Sequence, residues 1–143
     1  CLFSGCNFSN TKFTESNFID CEFKTSKLIG IDWSLLRSSL GLKLTMEKCD
    51  LSFCNFASVT ISHSCFKKCK MEEIDFTRTV AKEVTFDACN FDKTLFFHTD
   101  IRKSDFRGSI NYLFNPSDNV CKDAVFDREE ALNLLIPFGI KSE

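Results

Sequence analysis

CDLSFCNFASVTISHSCFKKCKMEEIDFTRTVAKEVTFDACNFDKTLFFHTDIRKSDF, residues 49–106, is the stretch from which the fold is read. A large apolar residue falls on every fifth position: Leu51, Phe56, Ile61, Phe66, Met71, Phe76, then the small Ala81, then Phe86, Phe91, Phe96, Ile101 and Phe106. Two places before each sits a small or β-branched residue, among them Cys49, Cys54, Val59, Ser64, Cys69, Ile74, Thr79, Cys89 and Ser104. A strand alternates every two residues and a helix every 3.6, so a period of five fits neither. It requires a chain that repeats one turn every five residues. Such units bury their apolar side only by stacking on neighbours, which makes the fold an all-β solenoid.

The unit reads small–Asp/Asn–Leu/Phe–x–x, with clear copies at Cys49–Leu51, Cys54–Phe56, Ile74–Phe76, Cys89–Phe91 and Ser104–Phe106. It resembles the pentapeptide-repeat family over nearly the whole chain. The resemblance implies a right-handed quadrilateral β-helix with four repeats per coil, here about five coils, each advancing roughly 4.8 Å at strand spacing. Residues twenty apart then stack. Phe56, Phe76 and Phe96 form one core ladder, Phe66, Phe86 and Phe106 another, and Cys49, Cys69 and Cys89 a column of thiols. Twelve of the 17 Phe residues occupy the central position of a unit, too many for coincidence.

The 143 residues and net charge of −2 suit one domain of near-neutral surface. No apolar run is long enough to span a membrane, and none reads as a signal peptide, so the expected location is cytoplasmic. The chain opens at Cys1, already in repeat register and without a Met, which reads as a fragment or as a chain whose start lies outside the repeats. Seven of the nine cysteines (Cys1, Cys6, Cys21, Cys49, Cys54, Cys69, Cys89) take the small inward slot. There they read as reduced, buried, structural thiols. Zinc sites space their ligands two to four residues apart, and this spacing is five or twenty, so no metal is expected. Cys65 and Cys121 lie outside the slot and read as the more reactive pair.

Residues 1–33 carry seven units, centred on Phe3, Phe8, Phe13, Phe18, Phe23, Leu28 and Trp33. The register then slips. Thirteen residues separate Trp33 from the next good centre, Met46, so an insertion lies near 34–43. It adds either eight residues to one turn or three across two turns. Its leucines read as lying against the outside of the coil, or as a partner-binding protrusion built from Leu35, Leu36, Arg37 and Leu40. The division is therefore 1–111, the repeat β-helix, and 112–143, a C-terminal extension. In the extension Asp127-Arg-Glu-Glu130 reads as a capping box opening a short α-helix from Arg128 to about Leu135, stopped by Pro137. A solenoid end needs covering. Leu132, Leu135, Ile136, Phe138 and Ile140 offer more apolar surface than one coil uses, which predicts a homodimer through the C-terminus.

Tyr112, Pro116, Asn119, Ala124, Phe126, Ala131, Leu134, Leu135 and Ile140 resemble the C-terminal extension of bacterial pentapeptide-repeat proteins, as does Gly30-Ile-Asp-Trp33. The quinolone-resistance (Qnr) and microcin-immunity proteins share this plan. The resemblance implies a non-enzymatic DNA mimic that binds a type II topoisomerase, DNA gyrase or topoisomerase IV. Charge speaks against a duplex mimic. Residues 1–111 hold fourteen acids and fifteen bases, while 112–143 hold six and three.

Lys67 and Lys68 fall together on one side, and Lys82 stacks beside Arg102 and Lys103 on another. Either set suits an acidic partner or nucleic acid. Glu47, Glu83 and Asp87 interrupt both, which favours solvated mixed charge and disfavours direct nucleic-acid binding. His63 and His98 sit on separate outward columns with no nucleophile beside them, and no Gly-rich phosphate loop occurs. No catalytic residue and no cofactor is expected. The reading is a protein-binding scaffold; the alternative is a spacer module of a longer protein with no topoisomerase role.

Overall fold

The computed structural model describes residues 1–14, 18, 21–36 and 40–143. Five short strands stack in one parallel sheet in chain order: β1 Leu2–Ser4, β2 Glu22–Lys24, β3 Thr45–Glu47, β4 Cys65–Lys67 and β5 Thr85–Asp87. Phe3 lies against Phe23, Met46 against Phe66, and Phe66 against Phe86. Isolated parallel bridges continue this face through Asp105 to Val125. The other faces are ladders of single bridges, such as Asn55 to Asp75 to Leu95 and Val80 to Asp100 to Val120. The chain is a parallel β-solenoid with a short C-terminal helix.

A five-residue unit can turn the chain only if one residue enters a conformation that L-residues avoid. The third residue of a tight turn takes positive φ when the turn is type II. Here non-glycine residues with φ between 49° and 65° recur every fifth position, from Lys48 through Phe53, Ser58, His63 and Lys68 to Lys103. Each costs about 1–2 kcal/mol relative to ordinary backbone. The cost is offset by hydrogen bonds to the next coil. Lys48 N–H donates to the Lys67 carbonyl (2.8 Å), Phe53 to Glu72 (3.0 Å) and Ser58 to Thr77 (2.9 Å). The Asp or Asn before each central residue helps: Asp50, Asn55, Asp75, Asn90 and Asp105 each accept from the backbone N–H two residues on, at 2.8–3.1 Å.

Inside, the rings stack coil on coil. Trp33 lies on Phe56 at 5.6 Å, Phe56 on Phe76 at 5.4 Å and Phe76 on Phe96 at 5.2 Å. Phe66 lies on Phe86 at 5.4 Å and Phe86 on Phe106 at 4.8 Å, and Phe126 continues that ladder. These rings are buried except Phe126, which is half-buried, and Cys49, Cys69 and Cys89 are buried too. Burial lessens in the first coil, which has a neighbour on one side only: Cys1 is exposed and Cys6 half-buried.

The small slot carries a role that packing alone does not suggest. Its hydroxyls donate to the carbonyl of a central residue in the coil before: Thr79 to Phe56 (2.7 Å), Thr99 to Phe76 (2.6 Å) and Ser109 to Phe86 (2.7 Å). Cysteine does the same more weakly, Cys89 to Phe66 at 3.4 Å and Cys54 to Leu28 at 2.9 Å. Several hydroxyls also accept a backbone N–H from that coil, as Ser104 does from Val84 and Ser109 from Cys89, both at 3.0 Å.

Replacing Phe76 by Ala empties a site between two stacked rings and is expected to cost about 3–5 kcal/mol. Chemical denaturation measures it; a loss below about 1 kcal/mol contradicts the packing described here.

Candidate functional site

Among the described residues two places break the repetition, and both present apolar side chains. The first follows Trp33. Glu22 pairs with Thr45, 23 residues on, where β1–β2 and β3–β4 pair 20 apart. Three residues are therefore added across two turns, and the stack of Trp33 on Phe56 shows that they lie after Trp33. A 3-10 turn, Trp33–Leu35, opens the insertion, with the Asp32 side chain accepting from Ser34 N–H. Leu36 and Leu42 turn into the core, while Leu35 is 42% and Leu40 93% exposed. Arg37 lies outside the described residues. Gly41, at φ +79°, closes the loop. A Cβ there would stand 2.8 Å from the Thr60 carbonyl oxygen, so only glycine fits.

The second break is the C-terminal end. The α-helical turn α1 spans only Arg128–Ala131, and a 3-10 helix, Leu132–Phe138, continues it. The expected α-helix to Leu135 is thus shorter, and Pro137 does not stop it. The stop is Gly139, left-handed at φ 73°. Its N–H bonds the Ile136 carbonyl (2.9 Å), and that of Ile140 reaches Leu135 (3.3 Å), the two bonds of a Schellman motif.

The capping box does not form either. Asp127 makes no side-chain cap bond. Its Oδ2 accepts from Gly108 N–H at 2.6 Å, and Glu130 Oε2 accepts from Asn111 N–H at 3.2 Å. Elsewhere such N–H groups find a carbonyl nineteen residues on, as Phe86 finds Asp105. The two carboxylates replace the carbonyls that another coil would supply. Asn119 likewise takes over a hydroxyl's place: it accepts from Thr99 N–H (2.9 Å) and donates to the Phe96 carbonyl (3.2 Å). Leu134 packs against the core and Leu135 is half-buried. Leu132, Ile136, Phe138 and Ile140 stay 44–54% exposed.

Chemistry is sparse. Hydrogen bonding with Cys69, then burial, pushes the Cys49 thiol far above its usual range. Cys49 lowers Cys69, but Cys89 and burial outweigh it and hold that thiol at about 12. Burial puts Cys54 at about 11 and raises Cys65 and Cys121 too, so the thiols outside the slot are not activated. His63 meets Glu83 at 3.2 Å on the surface, and His98 packs on Phe97. Among the described residues no group of three or more His, Cys, Asp and Glu is placed to hold a metal ion. No helix among them is long and apolar enough to cross a membrane. Arg102 grips Asp100 through two bonds of 2.9 and 2.7 Å, and this bonding holds the carboxyl below its usual range.

A solenoid of five-residue turns, inward rings and Asp/Asn corners is the architecture of one protein class. The family described as Pentapeptide repeats (8 copies) matches residues 1–32, and the same unit geometry runs on to the C-terminal extension. Residues 1–32 thus match that family, and the rest of the chain continues the same fold. Among solved structures it is similar to full-length QnrB1, a plasmid-mediated fluoroquinolone resistance protein, with a TM-score of 0.74 at 16% identity over 96% of this chain and 68% of QnrB1. A trypsin-treated form of QnrB1 gives 0.62 at 16% identity over 99% and 70%. At that identity the likeness is one of fold. No curated protein matches the sequence.

The Asp100–Arg102 pair gives a pH-dependent prediction. A carboxyl held below its ordinary value of 3.8 adds stability above that value and loses it as pH falls through its lowered folded value. Asp100→Asn is therefore expected to cost a few tenths to about 1 kcal/mol at neutral pH, since the pair is partly exposed. At pH 3, below that ordinary value, it should cost less. Urea denaturation at both pH values checks this; an equal loss at each contradicts it.

Proposed function

We propose that this chain is a non-enzymatic scaffold for protein–protein interaction, working in the cytoplasm. The carrying observation is that its departures from repetition are apolar projections on a rigid frame, the insertion at Leu35 and Leu40 and the C-terminal end, with no activated group beside either among the described residues. The core ladders of Phe and Cys keep that frame rigid. The narrower reading is a Qnr-like protector of DNA gyrase or topoisomerase IV. What supports it is the fold shared with QnrB1 and the resemblance of the C-terminal tail. A second reading, a repeat module that spaces other domains and has no topoisomerase role, is favoured by the near-neutral coil. A duplex mimic calls for a strongly acidic one.

Supercoiling by gyrase in the presence of a fluoroquinolone, with and without the protein, separates the two. Rescue at a stoichiometric ratio supports the protector; no rescue at any concentration leaves the general scaffold. The protector would act without hydrolysing or modifying any component.

The C-terminal end is the proposed homodimer contact. Leu132, Ile136, Phe138 and Ile140 are exposed together, and a two-fold meeting would cover both copies at once. Light scattering of the intact chain at tens of micromolar is expected to give twice the chain mass, and Ile136→Asp to halve it. A monomeric mass for the intact chain removes the dimer.

A further inference from the structure

One corner of the solenoid carries far more lysine than the chain average. Three columns meet there over three successive coils. Along the first, Lys24 faces Glu47 and Glu47 faces Lys67. Along the second, Lys48 and Lys68 follow each other with no acid between, both left-handed at the corner itself. Along the third, Lys27 bridges to Asp50 and Asp50 to Lys70. All six lysines are exposed. Glu22 takes Lys24 at 3.9 Å and Glu72 takes Lys70 at 3.3 Å. Asp50 is turned to its own backbone, accepting from Ser52 N–H. No ion pair within 4.0 Å holds Lys27, Lys48, Lys67 or Lys68 among the described residues. Along the first and third columns the charges alternate. Folded round the corner, four lysines stand without a carboxylate partner.

We propose that this corner docks an acidic protein segment, a helix with carboxylates along one face and a basic residue among them. The inference deepens the scaffold reading and rests on it. Three observations choose the partner. The lysines repeat at the coil rise, roughly 4.8 Å, close to the 5–6 Å between side chains three or four apart on a helix. Glu47 and Asp50 lie inside the patch: a protein partner can set a cation against them, whereas a phosphate backbone has none to offer. The exposed aromatics Phe53, Phe97 and Phe138 lie off the corner, so it has no platform on which single-stranded bases would stack. Lysine point charges without arginine forks give a salt-sensitive, fast-forming contact rather than a tightly locked one.

The test uses the whole chain and a labelled amphipathic peptide of about 20 residues, long enough to hold a helix. The peptide has Glu at every third or fourth position and one Lys in each two turns. Fluorescence anisotropy is expected to show binding at low salt that weakens at least tenfold in about 0.5 M salt. Lys48→Glu with Lys68→Glu should weaken low-salt binding at least tenfold, and the milder Lys67→Gln with Lys68→Gln should weaken it measurably. Lys103→Glu with Lys122→Glu, the same charge change on another side, should leave it unaltered. No low-salt binding, equal binding by the corner variants, or tighter binding of a duplex DNA probe than of the peptide overturns the proposal. The result is independent of the supercoiling assay: failure to protect gyrase removes the topoisomerase reading alone, whereas failure here removes the lysine corner alone.

Discussion

The bond on which everything else depends is the backbone hydrogen bond from one coil to the next. Ile61 donates to Val80, Phe76 to Leu95 and Phe86 to Asp105, nineteen residues on, while Thr85 and Asp105 reach back to Ser64 and Val84, twenty-one residues away. Within a unit there is little beyond a turn bond such as Thr79 to Phe76. No unit is therefore stable by itself, and each coil is a template for the next. The stacked rings inherit their spacing from this ladder. Their centroids stand 4.8–5.6 Å apart in the two long columns because the backbone rise leaves them little choice.

The turn makes this ladder necessary as well as possible. Left-handed Lys48, Phe53, Glu73, Arg78 and Glu83 would each disfavour the fold in isolation. What holds them is that the strained residue's own N–H points along the axis to a carbonyl of the next coil. The Ser, Thr and Cys of the inward slot add a second vertical tie, since their donors reach central carbonyls of the preceding coil. A serine inside an apolar tube is then no defect. Ser109 accepts one backbone group and donates to another, so burial leaves it satisfied.

This separates what was legible from what was not. The fold lay in the period of five, because side chains repeat where the backbone does. The core ladders followed once twenty residues were taken as one coil. The left-handed corners were not legible: Lys48, Phe53 and Glu83 share no chemistry that asks for positive φ, and glycine takes such a corner at Gly5, Gly30 and Gly108 but not at these. At the C-terminus, Asp127 and Glu130 carry the spacing of a capping box, and the local motif is real in sequence. A non-local demand took both carboxylates, because Gly108 and Asn111 expose N–H groups that no later coil satisfies. Local rules lose wherever a solenoid ends. The three-residue insertion was visible as a slip, but its anchoring by Gly41 over Thr60 required the coil beneath.

Surface function on such a fold follows from columns rather than from motifs. A catalytic group needs partners that differ from one another within a few ångströms, and a column supplies near-copies of one side chain instead. That arrangement disfavours tuned acid–base pairs: in the thiol column Cys69 raises Cys49, and Cys89 with burial raises Cys69, so neither is activated. It favours contact with a partner of matching rise. Extended recognition then comes from which columns are interrupted. Lys48 and Lys68 run on without an acid, while Glu47 and Asp50 punctuate the columns on either side. A partner that reads this corner reads the interruptions as much as the lysines.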